Sequence, residues 1–224
     1  MSKKFQVIVA DPAWSFSDSL KMSDVARGAA ANYNTMTISK IKQMPVKEVS
    51  DPDGAVLVLW VPSSLLQEGL DVMAAWGFKH KQTYIWVKNK KEPLLPLLKK
   101  FVSQVTDNGF KKTIKNIATS FNLNDTLAFG MGRLFRQTHE IALVGINNKK
   151  IYRLLKNKSQ RSVSLDVNLK HSKKPEHLQT SLEIMFPDTK KLEIFARRTK
   201  DDWTCIGNEV CNGEDIFDSL AKLL

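Results

Sequence analysis

Cysteine is nearly missing from this chain of 224 residues: Cys205 and Cys211 are the only two. They form no CxxC or histidine-paired arrangement, which excludes a disulfide framework and a cysteine-built zinc site and fits a reducing, intracellular setting. No metal site is expected. Long hydrophobic runs are missing as well. The opening MSKKFQVIVADP has two lysines but an apolar stretch too short for a signal peptide, and GAVLVLWV stops at Pro62. Neither a leader nor a membrane span is expected, and the expected location is cytoplasmic. There is no internal repeat, no low-complexity tract and no GxGxxG after a strand, so Gly130 and Gly132 are given no phosphate role. What remains, at 42% hydrophobic, 8% aromatic and 25% charged residues, is the composition of a globular protein. Its length suits a single domain over 1–224, with room for an insertion.

Acidic residues are the scarce charge. Lys and Arg number 34 against 23 Asp and Glu, a formal net charge of +11. The excess is segmental. Residues 88–115 carry eight lysines against Glu92 and Asp107, a local +6, and residues 147–174 carry nine basic residues against Asp166, a local +8. The rest of the chain is therefore net −3. Segmental positive charge on a near-neutral body is what a polyphosphate selects, because each neutralised phosphate releases condensed counterions. Lys88, Lys111, Lys112, Lys149, Lys150 and Arg153 are the candidate nucleic-acid-binding residues.

The apolar pattern is that of an α/β fold. QVIVADP (6–12), GAVLVLWV (54–61), QTYIWVK (82–88) and HEIALVGI (139–146) read as strands, followed by KLEIFARR and DWTCIGNEV. Short, continuous, β-branched runs of this kind belong to strands buried on both faces. Between them, 30–54 reads as a loop with a brief helix (Ile38, Ile41, Met44). Ser63 or Ser64 can cap a helix through Leu66, Leu70 and Met73 that Gly77 ends, and Pro175 opens another. GEDIFDSLAKLL closes the chain as a helix. Residues 92–127 read as a Lys-rich insertion and 147–172 as a basic loop. Strands alternating with amphipathic helices imply parallel βαβ units, with ligands at the strands' carboxyl ends.

Asp11-Pro12-Ala13-Trp14 follows the first buried strand directly. A carboxylate there lies at the sheet's rim, and Pro12, with φ fixed, supplies a carbonyl acceptor beside it. Two acceptors converge on one NH₂. Trp14 offers a face on which a planar base could stack, an interaction worth about 1–3 kcal/mol in single-strand binders. The ligand this pattern asks for is an aromatic heterocycle with an exocyclic amine.

In collinear order, ADPAW (10–14), NYNTM (32–36), LVLWV (57–61), WGFKHKQTYIWVK (76–88), GMGRLFRQTHEIALVG (130–145), HSKKPEHL (171–178), KLEIFARR (191–198) and WTCIGNE (203–209) resemble the adenine-N6 methyltransferases related to the catalytic subunit of the messenger-RNA adenosine methyltransferase, the MTA-like group with a DPPW motif. Its bacterial and phage DNA-modifying members are the nearest in kind. The resemblance implies a Rossmann-like S-adenosylmethionine-dependent sheet, with the motif order permuted so that the catalytic DPAW precedes the cofactor segments. It places Asp11 and the Pro12 carbonyl on the adenine amine, with Trp14 and Tyr33 beside them. It assigns S-adenosylmethionine to Ala10, Asp11, Lys174, Arg197, Asn208 and Glu209. Ala13 departs from the family's second proline, which leaves the loop backbone freer.

The expected reaction is direct methyl transfer to the exocyclic amine of adenine in DNA. No cysteine near the motif could form a covalent adduct with the base. The same reaction on RNA adenosine, or a catalytically silent nucleic-acid-binding subunit, are the alternatives. A protein-glutamine amide methyltransferase is disfavoured, because such enzymes carry Asn where Asp11 stands. The expected partners are DNA ahead of RNA, with no membrane; a homodimer is compatible with the sequence.

Overall fold

The computed structural model describes residues 4–15, 35–92, 98–99, 101–103, 110, 112, 114–115, 122–130, 134–167, 174–211 and 213–224. Among these, strands β1 (Val7–Ala10), β2 (Val56–Val61), β3 (Lys79–Asn89), β4 (His139–Ile146), β5 (Val163–Val167), β6 (Lys191–Ile194) and β7 (Trp203–Ile206) join in the order β5-β3-β4-β2-β1-β6-β7. The helices are α1 (Ile38–Lys42), α2 (Val46–Val49), α3 (Leu66–Ala75), α4 (His177–Met185) and α5 (Ile216–Ala221). The α/β expectation holds. The chain forms two compact units, one of residues 1–84, 140–162 and 178–224, the other of 85–139 and 163–177.

In the first unit β1 is central, parallel to β2 on one side and to β6 on the other, and β7 runs parallel beyond β6. Every residue of β1 and β2 is buried, which is why both read as unbroken apolar runs. One face packs Ile8, Ala10, Leu57, Leu59, Leu192 and Ile194 against Ile41 of α1, Val46 and Val49 of α2, Val72 and Met73 of α3, and Ile216 and Leu220 of α5. The other face is covered over β6 and β7 by α4, whose Gln179 and Glu183 bond to Glu193 and Trp203. The chain leaves β1 toward β2 and later returns on β1's other flank as β6. That makes the carboxyl end of β1 a topological switch point, where open α/β sheets place their ligands.

Two local readings change and one holds. The strand β4 is antiparallel to β2, with Ile146 opposite Val56 and Ile141 opposite Val61, so the sheet is not made of parallel units alone. Ser63 and Ser64 lie in a 3₁₀ turn (Ser63–Leu65), and α3 starts after Leu65 with no side-chain cap. Gly77 does end the helix: its φ of +82° is left-handed, and Phe78 donates its N–H back to Met73, as a helix-ending glycine should.

In the second unit the ends of the Lys-rich insertion are pinned together. Lys90 donates its N–H to Thr126, and Ala128 donates to Lys88. The described residues of that insertion are helical at 98–99, 101–103, 110, 112 and 114–115. The segment read as a basic loop contains β5, parallel to β3. Its alternation of Val163, Leu165 and Val167 with Ser164 and Asp166 has the two-residue period of a strand, but inverted. Ser164 is buried and the three apolar residues are exposed, so the usual apolar-inward signature was absent.

Candidate functional site

The carboxyl ends of β1, β6 and β7 stand level, because Ala10 pairs with Ile194 and Ile194 with Ile206. Asp11, Phe195 and Gly207 are the next residues along. Asp11 is half-buried and donates its N–H to the Ile194 carbonyl at 3.4 Å. Pro12 is buried, and its carbonyl accepts the Trp14 N–H at 2.9 Å. A carbonyl has two lone pairs, so a second donor can still be taken. The loop is tied down by Met36, which donates to the Ala13 carbonyl at 2.8 Å and accepts from Ser15 at 3.2 Å. Those bonds supply the restraint that a second proline would have given at Ala13.

Trp14 corrects the expectation of a stacking face. Its ring is 3% exposed and belongs to the core, and its indole N–H donates to the Trp60 carbonyl at 2.9 Å. A ring enclosed in this way cannot receive a base. It anchors the Asp11-Pro12 loop to β2 instead.

Beyond β6 the backbone turns sharply: Phe195 is left-handed at φ +68°. The turn lets Ala196 donate its N–H to the Ile206 carbonyl at 2.8 Å. Across it lies Gly207, where an added Cβ would come within 2.4 Å of the Ala196 carbonyl oxygen and 2.7 Å of the Ala196 nitrogen. Only glycine permits so close an approach of two backbones. The stapled loops bring Arg197 and Glu209 together, Nε to Oε1 at 3.7 Å, and present Asn208 exposed beside them.

Sequence reasoning missed the group underneath. Leu192 and Ile194 enter the core cluster, so Glu193 between them faces the other side of the sheet, where it is the register partner of Val9 and Cys205. Asp11, two residues beyond Val9, continues that face. Burial holds the Glu193 carboxyl above the ordinary range; Asp11 pushes in the same direction, while Arg198, the Gln179 amide and Lys200 oppose it. Burial likewise raises the Cys205 thiol, which keeps it a thiol rather than a nucleophile. The signal in the sequence was a lone carboxylate inside an otherwise apolar buried strand.

The first unit thus gathers Ala10, Asp11, Pro12, Arg197, Asn208 and Glu209 at one end. The second unit holds Lys174, half-buried just before α4, Lys88, whose Nζ lies 5.1 Å from the centre of the Trp86 ring, and Lys112, exposed. Tyr33 and Lys111 lie outside the described residues. Lys149, Lys150 and Arg153, the other candidate nucleic-acid contacts, belong to the first unit. They form a 3₁₀ turn (Lys149–Arg153) just after β4. Because β4 runs against β2, that turn sits at the end of the sheet where β1 and β2 begin, roughly 17 Å of strand from the Asp11 end. Lys150 is also engaged there by Asp53 at 2.7 Å.

Chemically, the Asp11 end offers two acceptors to an amine, a carboxylate and an amide to hydroxyls, and the Asp11 carboxylate to a cation. These are the functions a sulfonium-bearing nucleoside requires. A family model described as MT-A70 matches residues 5–116 and 109–209. Over 221 residues the chain is 26% identical to a rice protein (Oryza sativa subsp. japonica) named a probable N(6)-adenosine-methyltransferase MT-A70-like, covering 96% of this chain and 24% of that one. It is 23% identical over 215 residues to the human N(6)-adenosine-methyltransferase catalytic subunit METTL3, covering 92% and 28%. The human N(6)-adenine-specific methyltransferase METTL4 is 26% identical over 215 residues, covering 93% and 38%. The chain spans between about a quarter and two-fifths of the length of these curated relatives.

Proposed function

The chain belongs to the MT-A70 family, and on that premise we propose that it methylates the exocyclic N6 amine of adenine in DNA, using S-adenosylmethionine. The observation that carries this reading is the pair of acceptors at the switch point: the Asp11 carboxylate and the Pro12 carbonyl, on a loop anchored by Trp14. S-adenosylmethionine, the cofactor of the family, supplies an electrophilic methyl group when bound. The donor set fits it. The Arg197–Glu209 pair and Asn208 are the groups suited to its ribose hydroxyls, and Asp11 to its positive charge.

Asp11 and Pro12 do the orienting. Each accepts one N–H of the amine, which aims the nitrogen and draws its lone pair out of conjugation with the ring. Holding reactants in line is itself worth several orders of magnitude in rate. In this reading Asp11 also takes the proton that the amine nitrogen loses once the methyl group has been transferred. If the substrate is duplex, the base must leave the stack before its amine can reach Asp11.

DNA rests on the resemblance of the collinear motifs to DNA-modifying members; the adenine in the name of the human METTL4 relative is a base of both nucleic acids. The adenosine names of the rice and METTL3 relatives favour a second reading, RNA. The test is incubation of the purified protein with methyl-labelled S-adenosylmethionine and either DNA or RNA oligonucleotides, followed by resolution of the nucleosides. The expected outcome is label in N6-methyladenine from DNA, lost in Asp11→Ala. Label from RNA alone would replace the substrate, no transfer to either would point to a silent binding subunit, and label on cytosine or protein would overturn the scheme.

A further inference from the structure

Gln179 of α4 is 4% exposed, and its amide donates through Nε2 to Glu193 Oε1 at 3.3 Å. Its own Oε1 is buried with no hydrogen-bond partner. A buried acceptor left empty is costly, so the site lacks one proton donor. A carboxylate cannot be that donor, but a carboxylic acid can. A neutral Glu193 would direct its O–H at the Gln179 oxygen while receiving the Gln179 N–H, closing a two-bond ring that satisfies both side chains.

We propose that Glu193 and Gln179 form an acid–amide couple in which Glu193 keeps its proton, and that the couple is a positioning element leaving Asp11 the single negative charge facing the amine. The proposal rests on the role of Asp11 given above. The groups around Glu193 agree with it. On the β1 side stands Asp11, whose charge disfavours a second carboxylate on the same face. From β7 comes the neutral Cys205 thiol. From α4 comes Glu183, held by Lys200 at 3.0 Å and by the Trp203 indole at 2.7 Å. Arg198 and Lys200, beyond β6, pull the other way, and burial outweighs them. When Glu193 does ionise, it breaks the ring with Gln179 and places a second charge beneath Asp11.

The sign follows from linkage. The folded protein holds a proton that the unfolded chain has released, so the contribution of Glu193 to stability is full below the ordinary carboxylate value of 4.5 and is lost as pH rises through its folded value. Glu193→Gln copies the neutral acid, donor included, and cannot ionise.

The experiment follows the side-chain carboxyl carbons of Glu193 and Asp11 by NMR across pH, with thermal unfolding and methyl transfer measured on the wild type, Glu193→Gln and Glu193→Ala. Four outcomes are expected. Glu193 titrates clearly above 4.5; the Asp11 signal shifts at that same pH, a response absent from Glu193→Gln; Glu193→Gln gains melting temperature over the wild type as pH rises; and the wild-type rate changes across that pH while the Glu193→Gln rate does not, with Glu193→Ala, which leaves the Gln179 oxygen without a donor, slower than Glu193→Gln throughout. A Glu193 midpoint at 4.5, or an Asp11 signal indifferent to it, overturns the proposal. If no nucleic acid is methylated, the reading of function fails while the Glu193 titration and the Asp11 signal's response to it still decide the couple.

Discussion

Replacing Trp14 by Phe separates an anchor from a stacking platform. The indole N–H donates to the Trp60 carbonyl at 2.9 Å in a site 3% exposed. Phenylalanine keeps most of the apolar volume and removes that donor. The stranded carbonyl costs about 1–3 kcal/mol, and the missing part of the ring leaves a small void costing roughly 1 kcal/mol more. A total near 3 kcal/mol lowers the melting temperature by roughly 6–12 °C for a chain of this length. Scanning calorimetry reads that directly. Michaelis kinetics at a temperature where the variant is fully folded should then show KM for the oligonucleotide within twofold of the wild type. A stacking role predicts the reverse: an unchanged melting temperature and a KM raised about 5- to 150-fold. That pair of results would refute the placement of Trp14 in the core.

Gly207→Ala puts a methyl group against the Ala196 backbone, so both loops must shift; it is expected to weaken binding of S-adenosylhomocysteine by at least tenfold in calorimetry, and wild-type affinity would show the staple to be dispensable. Replacing Lys149, Lys150 and Arg153 together by Ala should leave turnover on a short oligonucleotide unchanged, since the three lie at the far end of the sheet from Asp11; a fall in kcat/KM would return them to the interface. Neutralising Lys112 should reduce the slope of log affinity against log salt by about one, and an unchanged slope would leave that lysine to solubility.

The parts of the fold most readable in the sequence are those where one physical demand acts alone. The strands β1 and β2 are buried on both faces, so VIVA and VLVLWV had no other reading. Where two demands compete, the pattern blurs. The first half of β3, Lys79–Gln82, is exposed and carries lysine and histidine, so only 82–88 read as strand. In β5 the apolar side chains face outward, and the basic surroundings read as loop. At the site, Asp11-Pro12 was legible because a polar residue closing a buried strand stands out. The direction of β4 was not, since strand polarity leaves no mark on hydrophobic alternation. For the same reason the distance of Lys149–Arg153 from Asp11 could not be foreseen. Glu193 was passed over because its partner, Gln179, lies on a helix that sequence spacing cannot align with β6.

Phe195 leaves little room for drift. A left-handed residue with a side chain costs about 1–2 kcal/mol, a cost glycine would not incur, yet the Phe195 side chain packs against the core cluster. The same residue therefore serves two masters, a hairpin-tight bend on its backbone and a plug on its ring. A glycine would ease the bend and unplug the core, while valine or isoleucine would fill space and resist the bend. Substitution there is a choice of which fault to accept, and the neighbouring Arg197–Glu209 contact, which hangs from that bend, would register either.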